Sequence, residues 1–125
     1  MDENNISYAI RGAAFKVHTA LGPGLLESAY EAALAYELRN DGYDVKSQVG
    51  LPFAYGDVKL DVGYRIDLLI NNKVIIEIKS VETLTDVHHK QLLTYLKLSG
   101  KKLGLLINFN VASLKDHIIR IANNL

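Results

Sequence analysis

Apolar residues recur at helical spacing near the start of the chain. Ile6, Ile10, Ala13, Ala14 and Val17 define one face and predict an amphipathic helix over about 4–20. Gly22-Pro23-Gly24 stops it, because proline cannot continue a helix and glycine permits the turn. A second helix is predicted from about Leu25 to Asn40, a stretch rich in Ala, Leu and Glu, and Asn40-Asp41-Gly42 ends it. Tyr43 to Tyr55 alternates loosely and reads as a strand in which Pro52 signals an edge position or an irregularity. After the turn signal Gly56-Asp57, Lys59 to Ile70 reads as one longer strand, with Gly63 marking a bulge or a close approach. Val74 to Lys79 is a third strand, so the three form an antiparallel meander. Ser80 to Leu84 reads as a loop. A helix capped by Thr85 or Thr83 then runs to about Ser99 and closes at Gly100. Leu103–Asn108 is a short buried strand, and the strand-helix-strand order calls for a right-handed crossover to a parallel partner. Residues 113–122 fit a strand or a last helical turn, with strand favoured.

The stretch Arg65 to Lys79 carries the most information. Two apolar runs, Ile66–Ile70 and Val74–Ile78, flank Asn71-Asn72-Lys73, and Asn tolerates the left-handed backbone of tight turns. A three-residue loop centred on Asn72 sets Asp67 opposite Glu77, and directly opposed residues share a face. Alternation then puts Ile66, Leu68, Ile70, Val74, Ile76 and Ile78 on one face. The other carries Leu69 and Ile75 near the turn, then Asp67, Glu77 and Lys79 at the open end, with Arg65 beyond. Apolar residues on both faces predict a mid-sheet position. Two carboxylates and an ammonium there are costly unless something pairs or uses them. The plain alternative is that Lys79 neutralises Asp67 or Glu77 at a sheet margin.

Composition narrows the class. The chain has 125 residues, 49% hydrophobic and 22% charged, which suits one globular domain over 1–125. There are no cysteines, so thiolate metal sites and disulfides are excluded, and a cytoplasmic location fits. The start, Met1 to Asn5, is too acidic and polar to begin a signal peptide. No apolar run approaches membrane-spanning length. Net charge is zero, which speaks against a nucleic-acid coat protein. Its distribution is uneven: residues 1–64 hold five Lys/Arg against nine Asp/Glu, and residues 65–125 hold nine against five. The basic half contains the hairpin, a split that would steer a polyanion to one side.

Further polar residues stand out against their elements. Glu27 heads the stripe Tyr30, Leu34, Leu38, where an inward carboxylate wants a partner or a metal, although it also suits the helix dipole, as Glu31 does. His88, Gln91 and Tyr95 share one helical face. The adjacent His88 and His89 point about 100° apart and do not make a zinc pair.

Asp67-x9-Glu77-x-Lys79 resembles the core motif of the PD-(D/E)XK nuclease superfamily, and Gln91-x3-Tyr95 resembles a motif of its exonuclease-like branch. Gly24-Leu25-Leu26-Glu27-Ser28-Ala29-Tyr30 matches the signature of the GxxExxY proteins. His18 to Gly24, Tyr64 to Asp67, Asn108-Phe109 and Arg120 also match that family. The proline of the superfamily's name is absent, Ile66 standing before Asp67. The resemblance covers nearly the whole chain. It implies an α/β (α+β) restriction-endonuclease-like core of order α-α-β-β-β-α-β plus a short C-terminal element, with a mixed central sheet flanked by helices.

It implies magnesium, with manganese as substitute, held by Asp67, Glu77, Glu27 and the Ile78 backbone carbonyl. Magnesium polarises a phosphoryl oxygen and activates a water, and it takes carboxylate oxygens. Lys79 would orient that water and stabilise charge on the phosphate. Gln91 would hold Lys79 or the phosphate, and Arg65, His88 and Tyr95 are candidates for substrate contact. The expected function is hydrolysis of nucleic-acid phosphodiester bonds, DNA favoured over RNA. The competing reading is a nuclease-fold module that binds nucleic acid or a protein without efficient catalysis. Little sequence specificity is expected of so small a core unless a partner supplies it. A homodimer would cut both strands, and Ile118–Leu125 offers an interface.

Overall fold

The Asn71-Asn72-Lys73 loop sets the register of the sheet. In the computed structural model, which describes residues 1–60 and 63–125, Asn71 and Asn72 adopt left-handed φ of 51° and 56°, and Lys73 N donates to Ile70 O at 3.0 Å. The strands it joins, β4 (Arg65–Ile70) and β5 (Val74–Lys79), pair antiparallel, Ile70 with Val74 and Leu68 with Ile76. That is the register expected of a loop centred on Asn72.

The remaining elements are α1 (Glu3–Leu21), α2 (Glu27–Asn40), β1 (Val45–Gly50), β2 (Phe53–Tyr55), β3 (Val58–Leu60), α3 (Asp86–Ser99), β6 (Leu103–Asn108) and β7 (Ile118–Ala122). A five-stranded sheet has the order β1-β4-β5-β6-β7. It is mixed: β5 and β6 are parallel, and the other neighbours antiparallel. The ambiguous tail is therefore the strand β7.

Alternation builds three layers. Leu68, Ile70, Val74, Ile76 and Ile78 pack with Leu103, Leu105 and Ile107 against the buried faces of α1 and α2. Leu69, Ile75 and Leu106 face α3 through Leu92, Tyr95 and Leu96. α3 starts at Thr85 with a capping box in which the His88 side chain accepts from the Thr85 amide. Gly104 lets α3 sit close to the sheet: a Cβ there would meet Leu92 side-chain atoms at 2.9–3.1 Å. Gly104→Ala should lower stability by about 1–3 kcal/mol through overpacking, read as a lower urea midpoint. An unchanged midpoint would mean that α3 simply shifts outward.

Two expectations are corrected. Tyr43–Tyr55 and Lys59–Ile70 are not two continuous strands. Each breaks, into β1 and β2 and into β3 and β4, and β2 and β3 form a separate two-stranded ribbon. Leu51 N donates to Tyr64 O at 3.0 Å where the paired strands leave the sheet. Pro52 has no amide for a ladder, and Gly63 takes a φ of 87° that side chains disfavour. Residues 61–62 of the expected long strand lie outside the described residues. The second correction is Ile66, which packs with Leu51, Leu69 and Ile75 rather than in the layer of Leu68. It lies beyond Leu68, the last β4 residue on the ladder to β5.

Candidate active site

The site begins where that ladder ends. One step past Leu68–Ile76, Asp67 stands opposite Glu77, and side chains replace the backbone pairing. Glu77 Oε1 accepts from Asp67 N at 3.1 Å, and Asp67 Oδ2 accepts from Ile78 N at 2.8 Å. Each carboxylate is thus locked by an amide of the opposite strand. Glu77 is only 5% exposed and Asp67 is half-buried.

Burial dominates the electrostatics. It pushes the Glu77 carboxyl up to about 8, with the Asp67 charge adding to it, against the amide hydrogen bond and Lys79. Asp67 is also raised, first by burial, even though the Ile78 amide and Gln48 favour its charged form. Lys79 is half-buried, and its charge acts on both carboxylates. Yet its ammonium forms no ion pair or hydrogen bond among the described residues. Simple neutralisation at a sheet margin is not the arrangement found.

The other sequence candidates are distributed around this pair. Glu27 is exposed, and its Oε2 accepts from Ser80 N at 3.2 Å, while Ser80 Oγ donates to Leu25 O. It ties the start of α2 to the end of β5, close enough for its charge to act on Asp67. Gln91 does not hold Lys79: its amide donates to the Tyr95 hydroxyl at 3.0 Å, one turn along the same helix. Tyr95 is buried, and its hydroxyl is pushed up by burial and then by Glu77. The Nδ1 of His88 serves the α3 cap. Arg65 is exposed at the start of β4 and donates to Tyr64 O.

Two residues that the sequence did not assign to the site take part in it. Glu31, four residues after Glu27, accepts from Gln48 Nε2 at 2.8 Å, and the same nitrogen lies 3.4 Å from Asp67 Oδ1. Glu31 is raised by burial and by Asp67. The i, i+4 spacing of the two glutamates was the available signal. Gln48 offered none; it is marked by a left-handed φ of 52° within β1, a costly conformation outside glycine.

The remaining signature residues are scaffolding. Tyr30 is fully buried, donates to Gly22 O at 2.6 Å, accepts from Leu25 N, and stacks on Phe109 at 4.5 Å. His18 Nε2 bonds Val111 O at 2.7 Å, which assigns it a role between α1 and the β6–β7 connection. Asn108 is buried and clasps both backbone groups of Val81. Together they fix the α2 start, the β5 end and the β6 end around the carboxylates.

A family model described as the PD-(D/E)XK nuclease superfamily matches residues 4–121. The chain belongs to the PD-(D/E)XK nuclease superfamily. A similar solved structure, described as the crystal structure of SSO0001, shares 26% identity at a TM-score of 0.53. The match covers 79% of this chain and 51% of that one, so the chain spans about half the length of that structure's chain. No match was found among curated proteins. PD-(D/E)XK nucleases generally use divalent metal ions and act on nucleic acid. Asp67 and Glu77 fit such an ion: both donors are oxygens, they face each other, and each carries a raised pKa that a cation would relieve. Among the described residues no three His, Asp or Glu side chains gather as a ligand group. Two facing carboxylates suit a hard divalent cation, which takes oxygen ligands. No helix among the described residues is long and apolar enough to cross a membrane.

Proposed function

We propose that this chain is a magnesium-dependent nuclease of the GxxExxY branch, one domain over 1–125, hydrolysing DNA phosphodiester bonds in the cytoplasm. The observation that carries the reading is the locked Asp67–Glu77 pair with an uncommitted Lys79 two residues on. Asp67, Glu77 and the Ile78 carbonyl would hold the ion, with manganese as a substitute. The bound ion supplies a polarised phosphoryl oxygen and a water of lowered pKa. Glu77 must give up its proton for the ion to bind, so apparent affinity rises with pH up to about 8. Lys79 donates to the attacking water or to a non-bridging phosphate oxygen, where negative charge grows as the new P–O bond forms and the old one breaks. Gln48, bonded to Glu31, holds Asp67 at the α2 side, and Glu27 would complete the metal site or hold a second ion.

The deciding experiment incubates the protein with labelled single- and double-stranded oligonucleotides in magnesium, in manganese and in EDTA. Cleavage of DNA with either metal, none in EDTA and none by Asp67→Asn is the expected result. Cleavage that survives EDTA would overturn the metal mechanism. The second reading, a binding module, is favoured by the absence of a third gathered carboxylate among the described residues. It predicts oligonucleotide binding with no cleavage under any metal.

A further inference from the structure

On the α3 side of the sheet lies a pocket of about 400 Å³ lined by Phe53, Tyr64, Gln91, Thr94, Tyr95 and Leu98. Its aromatic rings form a chain: Phe53 and Tyr64 have centroids 6.3 Å apart, as do Tyr64 and Tyr95. Tyr95 belongs to the buried cluster beneath α3, but Phe53 and Tyr64 belong to neither core cluster, and Tyr64 is 48% exposed. Two large rings are thus packed on each other and on Tyr95 yet left partly in water, as aromatic side chains at a binding surface are. The β2–β3 ribbon, which the sequence did not reveal, is what brings Phe53 here. A second groove, about 230 Å³, shares Phe53 and Leu98 and adds Pro52, Ala54 and the exposed Lys59.

We propose that this pocket receives an unpaired nucleobase of the substrate strand, stacked among Phe53, Tyr64 and Tyr95, with the neighbouring backbone running past Lys59. The proposal deepens the nuclease reading above, because it assigns a single-stranded or frayed substrate to the same site. Three features select this occupant. Aromatic faces stack on any base without regard to its sequence. Gln91 and Thr94 add amide and hydroxyl groups for a base edge, so the pocket is mostly apolar with a few convergent polar groups. Tyr95 joins the pocket to the reacting centre, since its hydroxyl feels the Glu77 charge. A base within a duplex is covered on both faces and enters such a pocket only after unstacking.

The test is fluorescence anisotropy in EDTA with three labelled probes: dT12, an abasic 12-mer of equal charge, and a blunt 12-base-pair duplex. Wild type should prefer dT12 to both others. Phe53→Leu, which keeps apolar bulk but removes the ring, and Tyr64→Ala should each weaken dT12 binding about 5- to 150-fold, the range base–aromatic stacking spans. Neither should alter binding of the abasic probe, and Tyr64→Phe should restore wild-type affinity for dT12. Circular dichroism establishes that each variant is folded. Equal binding of dT12 and the abasic strand, or unchanged dT12 binding by both ring variants, overturns the proposal even if magnesium-dependent cleavage is found. Ring-dependent dT12 binding by a protein that never cleaves upholds the pocket and overturns the nuclease reading instead.

Discussion

Glu77→Gln raises the stability of the metal-free protein at pH 8–9, by on the order of 2–5 kcal/mol, or roughly 8–20 °C in Tm. Burial and the neighbouring Asp67 lift the Glu77 carboxyl from 4.5 to about 8. Between those values the folded protein holds a proton that the unfolded chain has released. Stability is therefore full below about pH 4.5 and falls as pH rises through 8. Asp67 is raised in the same direction and reinforces the trend. Glutamine cannot ionise, and its oxygen can still accept from the Asp67 amide that Glu77 Oε1 now binds at 3.1 Å. The variant should thus flatten the upper part of the pH profile.

The same replacement removes metal linkage. In wild type at pH 8, millimolar magnesium should restore the Tm lost to the buried charge, because an ion that binds only the folded state stabilises it. Glu77→Gln should show little or no shift. Thermal melts of both proteins across pH 5–9, with and without magnesium, read all of this in one series. A variant less stable than wild type at pH 8 without metal would overturn the account. Glu77 would then be a structural anion serving Lys79.

How much of this was legible beforehand depends on how local each cause is. The register of β4 and β5 follows from the symmetric spacing of two apolar runs about Asn71-Asn72-Lys73, and past the end of that ladder the Asp67 and Glu77 side chains meet amides of the opposite strand. Helix limits follow from caps within a few residues, as at Thr85 and Gly100. The β2–β3 ribbon was hidden because residues 43–55 and 59–70 alternate as strands whether or not they stay in the main sheet. Pro52 and Gly63 signalled irregularity but not its form. Gln48 was invisible because its role arises only where β1, α2 and β4 meet, between Glu31 and Asp67. Gln91 was placed on the right face, but of the partners offered for it, Lys79 or the phosphate, the Lys79 contact is not formed. Helical spacing made Tyr95 the nearer one, and its hydroxyl takes the Gln91 amide.

Lys79→Ala is expected to lower DNA cleavage by about 10²–10³-fold with metal binding retained. The ammonium lies on the strand face of Glu77, and its charge acts on both carboxylates from outside ion-pair distance. Removing it leaves no described donor or acceptor without its partner, so the fold should hold within about 0.5 kcal/mol. It also withdraws a positive charge from the ion's surroundings, so magnesium affinity should stay the same or tighten. What is lost is the group that meets negative charge growing on the phosphate, an interaction strongest in the transition state, so kcat should fall more than KM changes. Single-turnover cleavage beside calorimetric titration of magnesium separates the two effects. Unchanged cleavage would remove Lys79 from the chemistry. Loss of metal binding together with cleavage would mean that the lysine positions Asp67 and Glu77 rather than acting on the substrate. Lys79→Arg discriminates further: it keeps the charge but spreads it over a longer, planar group. It should therefore preserve the electrostatic environment of Glu77 while recovering only part of the rate.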